Sequence, residues 1–410
     1  MQINQPAIVI VAYNRPEALV RILDSIASAH YTGYSDIKLI ISIDGCGDKN
    51  MDVTRAARAF NWKFGNKEII ERPSNLGLRN HVIACGDLTN KYDNIIVLEE
   101  DSFVSRNFYH YAVQSLIAYS TDKHIAGISL YSYHYYESFG TVFIPIADGY
   151  DTYFMQVPSS LGQIWTKKQW ANFKAYYNTK PTIETTDKIP EKVKTWPESS
   201  WKKYFYKYMV ERDLYFVYPQ TALATNFGDI GTHMLNKTQL YQIPLEIYRT
   251  DKQYNFPAFE KSANKYDAYF ELLPECLIAQ EINIDIDTCI DIFGSKPLSS
   301  FSNKYMLSSK ACTVSIISFD NVLIPTINNV LYSQQGHSIH YALRVDFTSM
   351  KASARLQQIA NSESLGYSEG IQHVISSRYY KLGYYILNPN KIIPMMKRKI
   401  TKTRNCFPER

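Results

Sequence analysis

Within its first hundred residues the chain alternates short, mainly apolar runs with stretches of helical periodicity, and few architectures accept that order. AIVIVA at 7–12, KLIISI at 38–43, KEIIER at 67–72 and IIVL at 95–98 read as strands. All but the third are apolar on both faces, as strands buried inside a parallel sheet are. After the first run, Pro16 and Glu17 suit a helix start, and Leu19, Ile22, Leu23 and Ile26 follow at helical spacing. Further helices are expected at 52–60 and 80–88. The repetition predicts an α/β fold: a doubly wound, mostly parallel sheet that binds its ligands at the strand C-termini.

Downstream, 108–119 reads as a helix and 125–130 as a strand. The Tyr-, Gly- and Phe-rich stretch 131–158 reads as loops around a site, and 159–165 as the approach to a helix at 167–177. A polar loop at 178–194, a helix at 200–212, a strand at 215–218 and a glycine-punctuated loop at 225–233 complete the main domain. Its expected span is 1–250, followed by an extension at 251–375 and a basic, aromatic tail at 376–410. At the end of the main domain and in the extension, 240–247, 276–293, 313–319 and 337–345 look strand-like. Ile282, Ile284 and Ile286 alternate there with polar residues, as on a half-exposed strand. Helices are expected at 351–360 and 377–387.

Charge is unevenly placed. The net charge is +5, yet residues 391–410 hold seven basic side chains against Glu409 alone. The body is near neutral, which argues against a nucleic-acid binder. The tail mixes Tyr, Leu and Ile with Lys and Arg. It reads either as a peripheral contact with an anionic membrane, at ~1 kcal/mol per basic residue, or as a solubilising tail. The cysteines at 46, 85, 276, 289, 312 and 406 show no C-x-x-C spacing, so free thiols are expected. With no run of 18 apolar residues and no apolar leader, a cytoplasmic location is expected.

The chemistry concentrates where IIVL runs into Glu99, Glu100 and Asp101. Adjacent carboxylates repel one another unless a cation or hydrogen bonds compensate, and Mg²⁺ or Mn²⁺ gripped by substrate phosphates would do so. A solvated acidic turn capping the next helix reads equally well from this stretch alone. Four loops could converge on one cleft: 13–15, 44–48, 75–80 and 99–101. Acids with Arg15 and Arg79 suit a metal-bound diphosphate, the acids holding the cation and arginine forking a phosphate. P-loop and dinucleotide fingerprints are absent. The G-x-S-x-G at 366–370 lacks the strand that a hydrolase elbow needs, and Asp285-Ile286-Asp287 reads as a solvated strand face.

As a set, AIVIVAYNRPEALVRILDSI, IISIDG, NLGLRNHVIACGD and VLEEDSFVSRNFYHY resemble a glycosyltransferase of the GT-A fold, over about residues 6–235. The likeness is to family-2-type transferases of polysaccharide clusters and to the N-acetylglucosaminyltransferases of N-glycan branching. It implies an inverting, metal-dependent transfer of a sugar from a nucleotide sugar, favouring UDP, to a hydroxyl of a glycan or lipid-linked acceptor.

Under that resemblance Ala12, Tyr13 and Arg15 line the nucleotide and Asp44 hydrogen-bonds the base. Glu99 and Glu100 lie near the ribose or sugar, Arg79 serves the phosphates, and Asp101 binds Mn²⁺ or Mg²⁺. Gly162 and Trp165 shape the sugar pocket. NFGDIGTH, at 226–233, would close over the diphosphate, with His233 as a second metal ligand. For the catalytic base the resemblance points to the W-P-E-S-S-W segment at 196–201, where serines replace the expected acids. Glu198 is the nearest candidate and Asp229 the next. A sugar-1-phosphate nucleotidyltransferase would want a glycine-rich loop after the first strand, which VAYNRP lacks. The missing acids keep open a non-catalytic nucleotide- or glycan-binding protein on the same fold.

Overall fold

The computed structural model describes residues 4–45, 50–229, 238–249 and 251–351. The chain divides into two compact units, residues 1–355 and 356–410, and all described residues lie in the first. Cys46, Asp48, His233, the 366–370 motif, the two expected C-terminal helices and the basic tail lie outside the described residues.

The predicted alternation is present: β1 (Ala7–Ala12), α1 (Pro16–Ala27), β2 (Leu39–Ile43), α2 (Met51–Ala59), β3 (Lys67–Glu71), α3 (Gly77–Gly86), α4 (Thr89–Tyr92) and β4 (Asn94–Glu99). Then come β5 (Ser102–Val104), α5 (Phe108–Tyr119), β6 (Ile125–Ser129), β7 (Tyr135–Tyr136), β8 (Thr141–Val142), β9 (Thr152–Met155), β10 (Gln163–Thr166), α6 (Lys167–Tyr177), α7 (Glu191–Lys194), α8 (Lys202–Arg212), β11 (Tyr215–Pro219) and β12 (Ala224–Asn226). The last part adds β13 (Lys265–Tyr266), α9 (Pro274–Ile278), β14 (Thr288–Asp291), β15 (Tyr305–Ser308), β16 (Lys310–Cys312), β17 (Ile317–Phe319), α10 (Asn328–Leu331), β18 (Ile339–Leu343) and β19 (Phe347–Lys351).

Nine strands form one sheet in the order β13-β9-β11-β6-β10-β4-β1-β2-β3. β3, β2, β1 and β4 run parallel, and β10 lies antiparallel between β4 and β6. β11 is parallel to β6, and β9 opposes β11. The fold is thus a mostly parallel, Rossmann-like α/β sheet with additional C-terminal elements, among them a four-stranded sheet β14-β15-β18-β17. Two-sided cover explains the continuous apolar runs: Val9, Val11, Ile95 and Val97 pack into one core, while Ile8, Ile10, Ile96 and Leu98 pack into the other.

Three expectations are corrected. Residues 131–158 are not only loops, since β9 is a strand of the main sheet. Residues 163–166 form strand β10 before the helix, held by pairing on both sides. The Ile282–Ile286 alternation is not a strand: Ile282 and Ile284 are buried in irregular chain, and strand β14 starts only at Thr288. Asp285 and Asp287 are exposed.

At the start of α6, Thr166 accepts from the Gln169 amide and Gln169 returns a bond to the Thr166 amide, a complete capping box. Thr166→Ala is expected to lower stability by about 1 kcal/mol, read as a shifted urea midpoint with an unchanged m-value. Among the described residues no helix is long and apolar enough to cross a membrane.

Candidate functional site

The tips of β1, β2 and β4 are tied together before any side chain is considered. The Glu100 amide donates to the Val11 carbonyl at 3.1 Å, and the Asp44 amide to the Ala12 carbonyl at 2.9 Å. These extend the parallel ladders by one residue and fix Ala12, Asp44 and Glu100 side by side.

From that frame Glu100 turns inward. Its buried carboxylate accepts the Tyr13 amide at 2.8 Å and Arg15 Nε at 2.7 Å. Arg15 Nη1 reaches Asp101 Oδ2 at 3.0 Å, so one guanidinium bridges two acids. Burial opposes the Arg15 charge, but Asp101 and Glu100 together strengthen it. Burial raises the Glu100 carboxyl, while Arg15 and the Tyr13 amide pull it back. Glu99 is pushed up to about 8, first by burial and then by the Asp101 charge.

Asp101 Oδ1 is buried and has no hydrogen-bond partner. An orphaned carboxylate oxygen, in a cluster with more acids than Arg15 neutralises, suits a divalent cation. Among the described residues no group of three or more His, Cys, Asp or Glu forms a ready-made metal site. A cation at Asp101 would therefore take most of its ligands from substrate oxygens and water, as Mg²⁺ commonly does.

Asp44 is as buried as Glu100, and its carboxylate organises a loop. Oδ1 accepts the Gly45 and Leu76 amides at 2.9 and 2.8 Å, and Oδ2 accepts the Gly77 amide at 3.0 Å. Gly77 has φ +71°, and a Cβ on Gly45 would lie 2.4 Å from the Ser74 carbonyl carbon. Glycine is required at both places. Asn75 Nδ2 donates to the Tyr13 hydroxyl at 3.0 Å. A cavity of about 760 Å³ opens beside Asp44 and is lined also by Asn50, Thr54, Arg55, Arg58 and Arg72. Asn50 donates to the Asp44 carbonyl, and its own Oδ1 is buried and unpaired. Under the tip, His81 Nε2 lies 2.8 Å from Ser42 Oγ. Burial pushes the imidazole down to about 4, so it is neutral.

The short pair β5–β12 carries the 226–229 segment to the acids, and the Phe227 amide donates to the Asp101 carbonyl at 2.9 Å. Arg21 of α1 ion-pairs with Asp229 and lies 3.8 Å over the Phe227 ring. Glu198 is exposed, 2.5 Å from Lys203 Nζ and hydrogen-bonded by Tyr204. Those bonds hold its carboxyl below the ordinary range. Arg79 lies 3.8 Å from Glu198 and over the Tyr204 ring.

The predicted residues thus fall into two groups. Ala12, Tyr13, Arg15, Asp44, Glu99, Glu100 and Asp101 meet at the strand tips, with Asp229 nearby. Arg79 and Glu198 meet each other around Tyr204. Gly162 has φ +87° and leaves room for a Cβ only by pressing on Leu130 and Ala224. Trp165 departs from its expected role: it is fully buried and stacks among Trp170, Trp201 and Phe205. Its ring packs the core and presents no face to a sugar. Lys202, Asn50 and Gln163, which no motif marks, also belong to this neighbourhood.

No family model matches the chain, and no curated protein matches it by sequence. Similar solved structures include the Staphylococcus aureus TarS 1-349 complex with UDP-GlcNAc, at 11% identity, TM-score 0.36, and 56% of this chain and 60% of that one covered. GalNAc-T7 with UDP, GalNAc and Mn²⁺ is 11% identical, with TM-score 0.36 and coverage of 53% of this chain and 43% of that one. The mannosyltransferase PcManGT from Pyrobaculum calidifontis, in complex with GDP-Man and Mn²⁺, is 12% identical at TM-score 0.28, with 40% of this chain and 45% of that one covered. The chain spans less than two thirds of the length of each.

Proposed function

We propose that the chain is an inverting glycosyltransferase that moves a sugar from a UDP-linked donor to a hydroxyl of a glycan or lipid-linked acceptor. The observation that carries this reading is the orphaned Asp101 Oδ1, placed at the tip of β4 beside Arg15 and within the same row of strand ends as Asp44. Tyr13, Asp44 and the adjoining cavity would take the nucleoside, with Glu99 and Glu100 toward the ribose and sugar. Asp101, with His233, would hold Mn²⁺ or Mg²⁺, which supplies charge to the leaving diphosphate. Arg15 holds Asp101 and Glu100 in register, and Arg79 is proposed for the phosphates.

The acceptor hydroxyl needs a carboxylate to receive its proton. Glu198 is open to water and ionised, and is the first candidate; Asp229, held by Arg21, is the second. Both being tied to basic side chains favours one other reading, a nucleotide- or glycan-binding protein without turnover.

Calorimetric titration of UDP separates these readings from an unrelated function. Binding is expected to tighten about tenfold when Mn²⁺ is added, and that gain should vanish in Asp101→Ala. No UDP binding under either condition would remove the proposal. Binding without hydrolysis or transfer on any acceptor would favour the non-catalytic reading.

A further inference from the structure

Five lysines are buried among the described residues, and each has a carboxylate: Lys203 with Glu198, Lys207 with Asp187, Lys265 with Glu275, Lys296 with Asp267 and Lys310 with Asp291. Lys202, at the first turn of α8, is not one of these. It is half-buried, and its ammonium donates to the Tyr133 hydroxyl at 3.0 Å. It lies 5.7 Å from the centre of the Trp196 ring and 5.8 Å from that of Tyr133. Among the described residues no carboxylate stands within ion-pair distance of it, although its charge is felt by Glu99. Burial works against the ammonium, and Tyr133, Glu137 and Glu99 outweigh that effect and keep it protonated. A half-buried ammonium with no carboxylate in ion-pair reach is placed to take an anion from a ligand.

A second observation comes from the neighbouring strand. Gln163 of β10 pairs with Val97 and so shares the face of β4 that carries Glu99. It is fully buried, and both its amide oxygen and its amide nitrogen lack partners. Its donors and acceptor match sugar hydroxyls. Beside Lys202, the partly exposed Trp196 ring matches the apolar face of a pyranose.

We propose that Lys202 recognises a carboxylate on the sugar being transferred, so that the donor is a nucleotide uronic acid. This rests on the nucleotide-sugar reading above. The diphosphate is served at the Asp101–Arg15 end of the acid cluster, whereas Lys202 meets the cluster through Glu99.

The test is calorimetry on the full chain with UDP, UDP-glucose and UDP-glucuronate, repeated with K202M and K202R and with thermal melts to check folding. The wild type is expected to bind UDP-glucuronate about tenfold more tightly than UDP-glucose. K202M should erase that preference with UDP affinity unchanged, and K202R should keep part of it. Equal affinity of the wild type for both sugars, or a preference that survives in K202M, overturns the proposal. A K202M loss shared equally by UDP also overturns it, since the lysine would then serve the diphosphate. If UDP itself does not bind the wild type, the nucleotide-sugar reading fails and this one falls with it.

Discussion

Arg15→Met is expected to destabilise the protein by about 3 kcal/mol at pH 7, because removing one partner of a buried ion pair leaves the other charge uncompensated. Glu100 would keep only the Tyr13 amide, and Asp101 would lose the bond at 3.0 Å that holds Oδ2. The pH dependence identifies the cause. Burial already raises the Glu100 carboxyl from its ordinary 4.5, and loss of Arg15 raises it further. A carboxyl whose folded pKa lies above its unfolded one binds more protons when folded, so stability falls as pH rises between the two values. The penalty is therefore full above the folded pKa and shrinks toward pH 4.5. Urea unfolding at pH 7 and pH 5 should show the gap between wild type and variant narrowing at the lower pH. A gap that stays constant would mean that Arg15 acts through packing alone.

That ion pair also shows where sequence legibility ends. β1, β2 and β4 are readable because strands covered on both faces are largely apolar, and the parallel ladder then brings their C-terminal ends to one edge. The order β4-β1-β2, which the structure supplies, then sets Asp44 and Glu100 on either side of the β1 end. The pairing of Arg15 with acids 85 and 86 positions away is not readable, since a guanidinium at a helix start looks the same whether it meets a phosphate, a carboxylate or water. β9 and β10 escape notice for a different reason. Each mixes polar with aromatic residues, TYFM and QIWT, in place of a continuous aliphatic run, and their stability comes from neighbours supplied by distant segments. Trp165 illustrates the ambiguity of aromatics: a ring that stacks on a sugar and a ring that fills a core have the same sequence signature, and only burial tells them apart. Lys202 is the converse, an ordinary lysine in sequence whose significance is that no acid among the described residues comes within ion-pair distance of it.

Asp44→Ala has the other large expected effect, and it separates two roles that the resemblance merges. Asp44 is 3% exposed and accepts three backbone amides between 2.8 and 3.0 Å. Hydrogen bonds to a charged group contribute about 1.5–3 kcal/mol each, less than additively, so a loss of about 3 kcal/mol is expected in urea unfolding. The loop that carries Leu76 and Gly77 should loosen, raising hydrogen exchange in a peptide covering 73–80. Asp44→Asn keeps one oxygen acceptor but sets an amide NH₂ against backbone N–H groups, so it should fall between Ala and wild type. Three of the carboxylate's roughly four acceptor directions are already used. One remains on Oδ2, enough for a single N–H such as the one on a uracil ring. UDP affinity in Asp44→Ala should fall by about tenfold or more, and the exchange data assign the cause. Weaker UDP binding with unchanged exchange over 73–80 would mean that the carboxylate touches the base directly. Weaker binding together with faster exchange would mean that Asp44 acts by holding the loop that shapes the pocket. Unchanged binding with faster exchange would remove Asp44 from the nucleotide site and leave it a purely architectural residue.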